Sequence, residues 1–344
     1  MSQKRFHTLN QNFITITIVA YTLLIVVWLL LRIIFFDTYW PIAIVNTTAV
    51  YCFLPLPILL LATLFISKKR VAAGLFIPLI AFLIFWGALF LPQSASITER
   101  SQPTIKIMSF NILGSNKSTA ELIHAVTADT PDIVGFQELS PTSINAFKSE
   151  FQNSHPYHTF DIFEPRGVGL MSRFPITAVH KIPFPPYELA LHAIIDWEGQ
   201  PVHIFVVHLS ANNFFDNSLS QLPQLATERY GQRAYQITRL HEELAAIEAP
   251  ILLLCDCNLT DTSKAYARMN SILIDSYKIA GWGLGHTLHP PGVPFRVQRI
   301  DYIWHSQEFV STDSYVGLNG NSDHHPVIFT LMFTQFPHTS EENP

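Results

Sequence analysis

The chain has 344 residues, of which 49% are hydrophobic and 14% are charged, with a formal net charge of −5. This composition is too apolar for an ordinary soluble domain, and the length accommodates a membrane part together with one globular domain. The acidic balance argues against a surface that is basic throughout, as is usual in proteins that grip a nucleic-acid backbone.

The apolar excess lies in residues 1–92. Residues 13–36 carry only one charge, Arg32, and residues 39–66 and 71–92 carry none. Each segment is long enough to cross a hydrocarbon core of about 30 Å as a helix. A signal peptide is the alternative for the first segment, but its apolar run is too long and two more segments follow. We predict a membrane anchor with three transmembrane helices, the second kinked or shortened by Pro41, Pro55 and Pro57.

The positions of the cations predict the orientation of this anchor. Lys4 and Arg5 precede the first span, a basic run at residues 68–70 separates the second span from the third, and the loop between the first two spans holds only Asp37. Because basic flanks stay in the cytoplasm, the N-terminus is expected there and the rest of the chain after residue 93 on the extracytoplasmic side. Arg32 is discordant, and we expect it to snorkel to the interface.

The remaining chain divides into a polar linker at residues 93–104, one domain at residues 105–333 and a disordered tail at residues 334–344. Six of the 21 Lys and Arg residues and one of the 26 Asp and Glu residues lie in or beside the spans, which leaves 15 against 25 and a balance of −10. This balance is evidence against a nuclease, although a local basic patch can hide inside an average.

Apolar runs in this domain predict strands that alternate with helices. A helix is expected at residues 118–130 and a longer one at residues 225–247, with a hairpin turn at residues 198–201. The predicted strands are residues 105–111, 133–138, 167–172, 190–197, 202–209, 251–256, 299–305 and 327–333. Two packed sheets with helices outside accommodate this order.

Acidic, amide and imidazole side chains close nearly every one of these strands. Glu138 ends an apolar run, and a carboxylate there can bind a hard divalent cation; Asn111 can ligate the same ion or orient Glu138. The ordinary alternatives are a surface glutamate and a turn asparagine. Asp256 and Asn258 are two apart, so in a strand they face one phosphate together, although a turn remains possible for this pair.

Two histidines are further candidates for the site. His208 ends a strand, and His324 lies in the run Ser322-Asp323-His324-His325-Pro326, where Asp301 is a candidate to fix its tautomer. A lone histidine in an apolar strand is more often a core residue, but two of them with an orienting aspartate favour a site. Asn212 is a candidate for substrate binding, while Arg166 and Arg173 are expected to be solvated.

The three cysteines do not predict a disulfide framework. Cys52 lies in a predicted span, and Cys255 and Cys257 are neighbours on one face of a single strand, a poor geometry for a bridge. A Cys-x-Cys metal site lacks a second pair of cysteines. We therefore predict that Cys255 and Cys257 are small buried packing residues.

The ordered series of motifs resembles the endonuclease/exonuclease/phosphatase superfamily over residues 104–332. The matching positions are Phe110-Asn111, Gln137-Glu138, residues 169–176, His208-Leu209, Asp256-x-Asn258, Asp301-Tyr302 and Ser322-Asp323-His324-x-Pro326. The resemblance implies an α/β fold, a four-layer α/β/β/α sandwich of two packed mixed sheets with outer helices.

The resemblance also implies roles. Asp256 would orient or deprotonate the attacking water, Asn258 would hold a phosphoryl oxygen, and the superfamily spacing favours His324 over His325 as the second imidazole. A cation would be held mainly by Glu138, with Asn111 and Asp323 assisting. The oxygen-rich ligand set makes Mg²⁺ the expected ion, with Mn²⁺ or Ca²⁺ possible.

Three membrane helices ahead of such a domain are similar to a bacterial subgroup that includes proteins associated with glycopeptide resistance. We predict a membrane-anchored, metal-dependent hydrolase of phosphoesters or phosphoanhydrides, acting on a phosphorylated lipid or envelope precursor, with no protein partner. An extracytoplasmic endonuclease or exonuclease uses the same residues and is an alternative, with nucleic acid as its substrate. A second alternative is an inactive membrane-bound binding or sensor protein.

Overall fold

The computed structural model describes residues 3–66, 68–91, 103–163, 166–185, 188–212, 218 and 220–334. Most of the predicted linker and most of the predicted tail lie outside the described residues. The chain divides into two compact units. The first comprises Met1–Phe90, Phe214–Tyr230 and Thr262–Lys264, and the second comprises Leu91–Asn213, Gly231–Asp261 and Ala265–Pro344.

The first unit contains the apolar helices. Helix α1 is Gln3–Phe35, α2 is Trp40–Thr47, α3 is Pro55–Ala62, α4 is Lys69–Gly74 and α5 is Phe76–Trp86, with 3-10 turns at Ala49–Phe53, Thr63–Phe65 and Gly87–Phe90. Asn10–Phe35 and Lys69–Phe90 are each long and apolar enough to cross a membrane. Trp40–Thr47 and Ala49–Phe65 form a pair bent by 68°, which gives a third crossing if the pair is one span.

The prolines of the second apolar segment mark helix starts, whereas the 68° bend lies between Thr47 and Ala49. Pro41 and Pro55 each lie in the first turn of their helix, where a missing N–H costs nothing, so each proline starts a new helix instead of continuing one. Large apolar side chains such as Ile33 and Leu64 are 73% and 78% exposed. Such surfaces suit lipid, because they would be unfavourable in water.

Arg32, near the end of α1, has several partners within the first unit, and its expected snorkelling to the membrane interface stays a prediction. Its guanidinium donates to the carbonyl oxygen of Thr262, in the same unit, at 3.3 and 3.1 Å. It also lies over the rings of Phe36 and Phe85, 4.4 and 4.7 Å from their centres. These contacts satisfy the cation near the helix end, since both π-faces and a carbonyl are favourable partners for a guanidinium.

The second unit is built on two six-stranded sheets with the orders β11-β12-β1-β2-β4-β3 and β5-β6-β7-β8-β10-β9. The strands are β1 Thr104–Asn111, β2 Ile133–Leu139, β3 Tyr157–Phe163, β4 Arg166–Ser172, β5 Ile176–Phe184, β6 Glu188–Trp197, β7 Gln200–His208, β8 Ile251–Asp256, β9 Ile274–Asp275, β10 Asp301–His305, β11 Phe309–Val316 and β12 Val327–Phe333. The helices that follow the apolar helices in the chain are α6 Thr119–Asp129, α7 Pro141–Phe151, α8 Leu222–Ala245, α9 Lys264–Met269 and α10 Ser276–Ala280, of which α8 and α9 begin in the first unit and continue in the second.

Three apolar clusters hold these layers together. Side chains of both sheets, among them Ile107, Val206 and Leu254, are buried between the sheets. Helices α6 and α7 cover the outer face of the first sheet, and α8 covers the outer face of the second. The sheets approach so closely at Gly135 that an added Cβ would lie 2.6 Å from Leu254. This arrangement confirms the predicted four-layer α/β/β/α sandwich.

The predicted strands at residues 105–111, 133–138, 167–172, 190–197, 202–209, 251–256 and 327–333 all exist, with small differences at their ends. The strand predicted from Arg299 begins at Asp301. The sequence interpretation missed β3, β5, β9 and β11, each of which lies at an edge of its sheet. Strand β5 has one buried residue among its nine, so it lacks the apolar pattern that marks an interior strand.

The prediction for the cysteines was wrong. Cys255 and Cys257 form a disulfide, with their Cα atoms 5.1 Å apart, inside the range that a bridge requires. Strand β8 ends at Asp256, and the chain turns at Asn258, whose φ is +50°. Both residues remain fully buried in the cluster beneath α8, as expected of packing residues.

Candidate active site

Strand register brings the predicted site residues to one rim of the sandwich. The parallel strands β1 and β2 place Asn111 beside Gln137, and the parallel strands β7 and β8 place His208 beside Asp256. Strand β10 runs antiparallel to β8, so its first residue, Asp301, pairs with the last residue of β8. Polar ends of five strands therefore meet, although they are up to 190 positions apart in sequence.

Glu138 is held by the backbone around it. Its φ is +57°, and the pairing of β2 with β4 shifts register between Gln137 and Leu139, so the chain bulges at the glutamate. The carboxylate accepts hydrogen bonds from the N–H of Gly114 at 3.1 Å and from the amide of Asn111 at 3.3 Å. A positive φ in a residue other than glycine is uncommon, and such strain is frequent at functional sites.

Asn111 connects the two sheets. Its side-chain amide nitrogen donates to Glu138 on the first sheet and, at 2.7 Å, to Asp256 on the second. Its amide oxygen accepts from the N–H of Leu113 at 3.0 Å. One buried amide thus fixes the spacing between two carboxylates that would otherwise repel each other.

Asp256 is 1% exposed and faces two imidazoles. Its Oδ2 lies 3.5 Å from His208 Nε2 and 3.9 Å from His324 Nε2. Burial, followed by the charge of Asp301, raises the pKa of Asp256 to about 6, while both histidines and the Asn111 hydrogen bond oppose the shift. A carboxylate with this pKa is suited to accept a proton near neutral pH.

His324 is oriented by Asp301, as the sequence predicted. Its Nδ1 lies 2.9 Å from Asp301 Oδ2, which leaves Nε2 facing Asp256. Burial alone would lower the pKa of His324, but Asp301 and Asp256 raise it to about 10. The imidazole is therefore a cation near pH 7, able to donate from both nitrogens.

Asn258 follows Asp256 in a left-handed conformation. Its N–H donates to Asp256 Oδ1 at 3.2 Å, and its side-chain Nδ2 donates to the carbonyl of Leu209 at 2.9 Å. The amide nitrogen thus ties the ends of β7 and β8 together. The predicted contact with a phosphoryl oxygen stays a prediction.

Asp323 and Asn212 differ in how they relate to this cluster. Burial raises the pKa of Asp323, His324 opposes the shift and the nearby charge of Glu138 adds to it, which places this carboxylate within electrostatic range of both. Asn212 accepts a hydrogen bond from Arg233. Its predicted role in substrate binding stays a prediction.

Arg173, which we expected to be solvated, is exposed and also forms an ion pair with Asp132 at 2.8 Å.

The sequence interpretation assigned no role to three residues that support the site. The Ser322 hydroxyl donates to the carbonyl of Asn111 at 2.8 Å and accepts from the N–H of His324 at 3.1 Å. Thr287 Oγ1 accepts from the N–H of Asp301 at 3.3 Å, and Gly114 supplies the N–H to Glu138. Ser322 lies inside a quoted motif, whereas no sequence signal marks Gly114 or Thr287, which act through loop geometry.

The donor set fits a divalent cation. Within the described part of the chain, His208 Nε2, Asp301 Oδ1 and Asp323 Oδ1 are buried without a hydrogen-bond partner. Ligand atoms of Asp256, Asp301 and His324 all lie within 4.8 Å of one another. Buried polar atoms are normally satisfied, so unsatisfied ones that converge with carboxylates indicate a place for an ion, water or substrate.

A two-sheet sandwich with buried carboxylates and imidazoles converging at one rim is an arrangement suited to the hydrolysis of phosphate esters. The profile of the endonuclease/exonuclease/phosphatase family matches residues 108–324. The chain belongs to this family and is a phosphoester hydrolase; the family is generally dependent on a divalent metal. The narrower similarity to glycopeptide-resistance proteins stays a prediction.

Solved structures share the fold at low sequence identity. An endonuclease/exonuclease/phosphatase from Bacteroides vulgatus is 16% identical, with a TM-score of 0.56 and coverage of 67% of this chain and all (100%) of that one. Danio rerio (D. rerio) TDP2 complexed with a single-strand DNA product is 17% identical, with a TM-score of 0.54 and coverage of 66% and 98%. A Bacteroides thetaiotaomicron mannosyl-6-phosphatase is 17% identical, with a TM-score of 0.51 and coverage of 67% and 100%. No curated protein sequence matches the chain.

Proposed function

We propose that this protein is a membrane-anchored, metal-dependent hydrolase whose substrate is a phosphorylated lipid or envelope precursor. The observation that carries the proposal is the convergence of Glu138, Asp256 and His324 at one rim of a domain that follows membrane-length apolar helices. The first feature supports attack on a phosphate, and the second supports a substrate that resides at a bilayer.

In this proposal, the cation is held by Glu138, with Asn111 and Asp323 assisting. Asp301 is less suitable as the main ligand, because its Oδ2 is engaged by His324. Mg²⁺ is the expected ion, and Mn²⁺ or Ca²⁺ suit the same oxygen donors. When bound, the ion supplies charge neutralisation for a phosphoryl group during in-line attack.

Asp256 is the proposed base for the attacking water. Its Oδ1 is fixed by the Asn258 N–H and its Oδ2 by the Asn111 amide, so the carboxylate has one orientation. Its pKa, raised to about 6, lets it take a proton from water as the phosphorus–oxygen bond forms. Asn258 is proposed to hold a phosphoryl oxygen, and Asn212 to contact the remainder of the substrate.

The two imidazoles are proposed to serve the phosphoryl and leaving oxygens. His208 Nε2 is buried, lies 3.8 Å from Glu138 and 3.5 Å from Asp256, and has no hydrogen-bond partner among the described residues. It is available to donate to a non-bridging oxygen. His324, held as a cation by Asp301, donates from Nε2 to the oxygen that leaves, so the proton ends on the released alcohol or phosphate.

The choice of a lipid over DNA comes from charge and attachment. The chain after the spans has the formal balance of −10 derived above, whereas backbone binding to DNA is driven by cationic side chains. The fold leaves the substrate open, since its solved neighbours include a protein with a DNA product and a sugar phosphatase. Attachment to a bilayer raises the local concentration of lipid substrates for the site.

For localisation, we propose a cell-membrane protein with a cytoplasmic N-terminus and an extracytoplasmic catalytic domain. The proposal rests on the basic residues that flank the first and third apolar segments and on counting the bent pair as a span. Reporter fusions at residue 5, at residue 69 and after the C-terminus test it. A cytoplasmic C-terminus would contradict it and direct the search to intracellular phosphates.

Substrate class is tested with the purified full chain in detergent micelles containing Mg²⁺. A prenyl pyrophosphate, a phospholipid and duplex or single-stranded DNA are offered in parallel, with the Asp256→Asn variant as the control for contaminating hydrolases. We expect lipid hydrolysis that the variant lacks. Dominant DNA cleavage by the wild type would reject the lipid proposal, and equal activity of variant and wild type on every substrate would reject the site.

A further inference from the structure

Three histidines lie in a row on the second sheet, away from the rim described above. His180 is on β5, His192 on β6 and His203 on β7, and these strands are neighbours in the sheet. His180 pairs directly with His192, while His203 pairs with Ile194, one diagonal step from His192. All three side chains are on the outer face. Each histidine lies two positions from a residue of the cluster beneath α8, namely Ile182, Ala190 and Phe205, and side chains two apart in a strand share a face.

The imidazoles face one another at short range. His192 Nε2 lies 3.0 Å from His203 Nδ1, and the ring centre of His192 is 5.1 Å from that of His203 and 5.5 Å from that of His180. His192 also stacks on Phe205, with ring centres 4.2 Å apart and planes within 5°. The central imidazole is thus fixed by packing, while His180 is exposed on the edge strand β5.

We propose that His180, His192 and His203 form a binding site for a divalent transition-metal ion of the zinc and copper class. Zinc is bound by imidazole nitrogens at about 2.0–2.1 Å, so two nitrogens in a tetrahedral shell are about 3.3 Å apart. The observed 3.0 Å between the facing nitrogens of His192 and His203 is close to that separation. A turn of the His180 side chain supplies the third ligand, and water completes the shell.

The proton balance of the site suits a metal. Burial and the two neighbouring imidazoles lower the pKa of His192 to about 4, and burial with His180 lowers that of His203. His192 and His203 are therefore neutral near pH 7, as metal binding requires. The proton between the two facing nitrogens moves to the opposite nitrogen of the same ring when the ion binds, so both present lone pairs and no proton is released.

The ligand chemistry separates this site from the rim. Three imidazoles suit Zn²⁺, Cu²⁺ or Ni²⁺ and are poor ligands for Mg²⁺, which takes oxygen donors. The rim offers carboxylates and an amide in addition to its two histidines. Excess Mg²⁺ therefore occupies the oxygen-rich site while leaving the imidazole row available.

The test is a Zn²⁺ titration of the detergent-solubilised full chain at pH 7 in excess Mg²⁺, in competition with a chromophoric chelator. The variant His192→Phe removes the central ligand and keeps the aromatic contact with Phe205. The matched control is His158→Phe: His158 is exposed on β3 and stacks on Phe160 at 5.2 Å, outside the row. We expect the wild type and the control to bind one more Zn²⁺ than His192→Phe.

A milder variant keeps the test decisive if His192→Phe folds poorly. His180→Ala affects an exposed edge residue and should weaken Zn²⁺ binding at this site on the order of tenfold or more, since even an outer partner of a ligand contributes about that much. Equal Zn²⁺ stoichiometry and affinity in the wild type, His180→Ala and His192→Phe would overturn the proposal. Because the readout is stoichiometry in excess Mg²⁺, loss of hydrolysis by itself bears only on the rim.

Discussion

The two sheets contribute different chemistry to the same rim. The first sheet supplies Glu138 and Asn111, whose polar atoms are engaged by the N–H groups of Gly114 and Leu113. The second supplies His208, Asp256 and Asp301, where carboxylate and imidazole atoms face each other and two buried atoms have no hydrogen-bond partner in the described chain. The difference supports the proposal that one sheet holds the cation while the other transfers protons.

Two side-chain hydrogen bonds of the proposed site residues join these halves. Asn111 of the first sheet donates to Asp256 of the second, and His324, in the loop that leads into β12 of the first sheet, bonds to Asp301 of the second. Neither half contains a complete hydrolytic site. Substitutions on the two sides should therefore fail in distinguishable ways.

The largest effect is expected from Asp256→Asn on the proton-transfer side. The amide keeps the size and can keep a hydrogen bond with Asn111, but it cannot accept a proton from water, so kcat should fall about 10⁴-fold, the upper range for a general base. Steady-state hydrolysis in Mg²⁺ measures this. Asp313→Asn, at an exposed position of β11, is the control and should behave as wild type. A fall of less than tenfold would remove Asp256 from the role of base.

Glu138→Gln is the corresponding change on the charge-holding side. Loss of the carboxylate weakens binding of the cation and leaves the base in place. Activity at low Mg²⁺ concentration should therefore fall about 10³-fold and recover in part as the Mg²⁺ concentration is raised. A metal titration of the initial rate separates this from Asp256→Asn, which added metal should not rescue. Exposed Glu121 on α6 provides the matched Gln control. An unchanged metal dependence would place the cation elsewhere.

Asp301→Asn tests the contact that joins the halves through His324. Asp301 raises the pKa of His324, so replacing Asp301 should lower that pKa. The His324 imidazole should then lose its proton at a lower pH than in the wild type. In the pH dependence of kcat, the fall on the basic side should move from about pH 10 toward neutral pH, and kcat at pH 7 should fall about 10²-fold. A merely structural role would lower the rate without moving the limb. An unshifted limb would therefore contradict the assignment of Asp301 as a positioning residue.

Ser322→Ala should give the smallest effect. The hydroxyl ties the Asn111 carbonyl to the His324 backbone, and one lost hydrogen bond of about 1 kcal/mol corresponds to a rate loss of roughly tenfold or less. Ser271→Ala removes a similar bond, to the carbonyl of Arg268, on the surface and serves as the control. Equal kinetics in the two variants would show that the link between Asn111 and His324 does not position the site.

The interior strands of the two sheets could be predicted from the sequence, whereas the edge strands could not. Strands such as Ile251–Asp256 are buried along their whole length, and in the sequence they are visible as apolar runs. The edge strands β3, β5, β9 and β11 are bounded by one neighbour and lack that continuous burial, so composition alone does not mark them. The disulfide was missed because the separation of the two Cα atoms depends on the backbone conformation of Asp256, the residue between them, which residue identity does not fix.

The acidic and imidazole members of the candidate site could be predicted because each ends an apolar run, and strand ends meet at one rim. What the sequence did not provide is the bonding among them. Asn111 donating to two carboxylates, and Gly114 and Thr287 supplying backbone-level support, follow from register and loop geometry. The three-histidine row was likewise hidden, because its members are 11 or more positions apart and meet only through strand pairing.

The central claim is that side chains of both sheets surround one cation held by Glu138. The most direct measurement is the anomalous scattering of Mn²⁺ in crystals of the full chain grown with that ion in place of Mg²⁺. We expect a peak at about 2.2 Å from a Glu138 carboxylate oxygen, on the side that faces Asp256. A fully occupied Mn²⁺ site elsewhere in the rim, with no density at Glu138, would contradict the account.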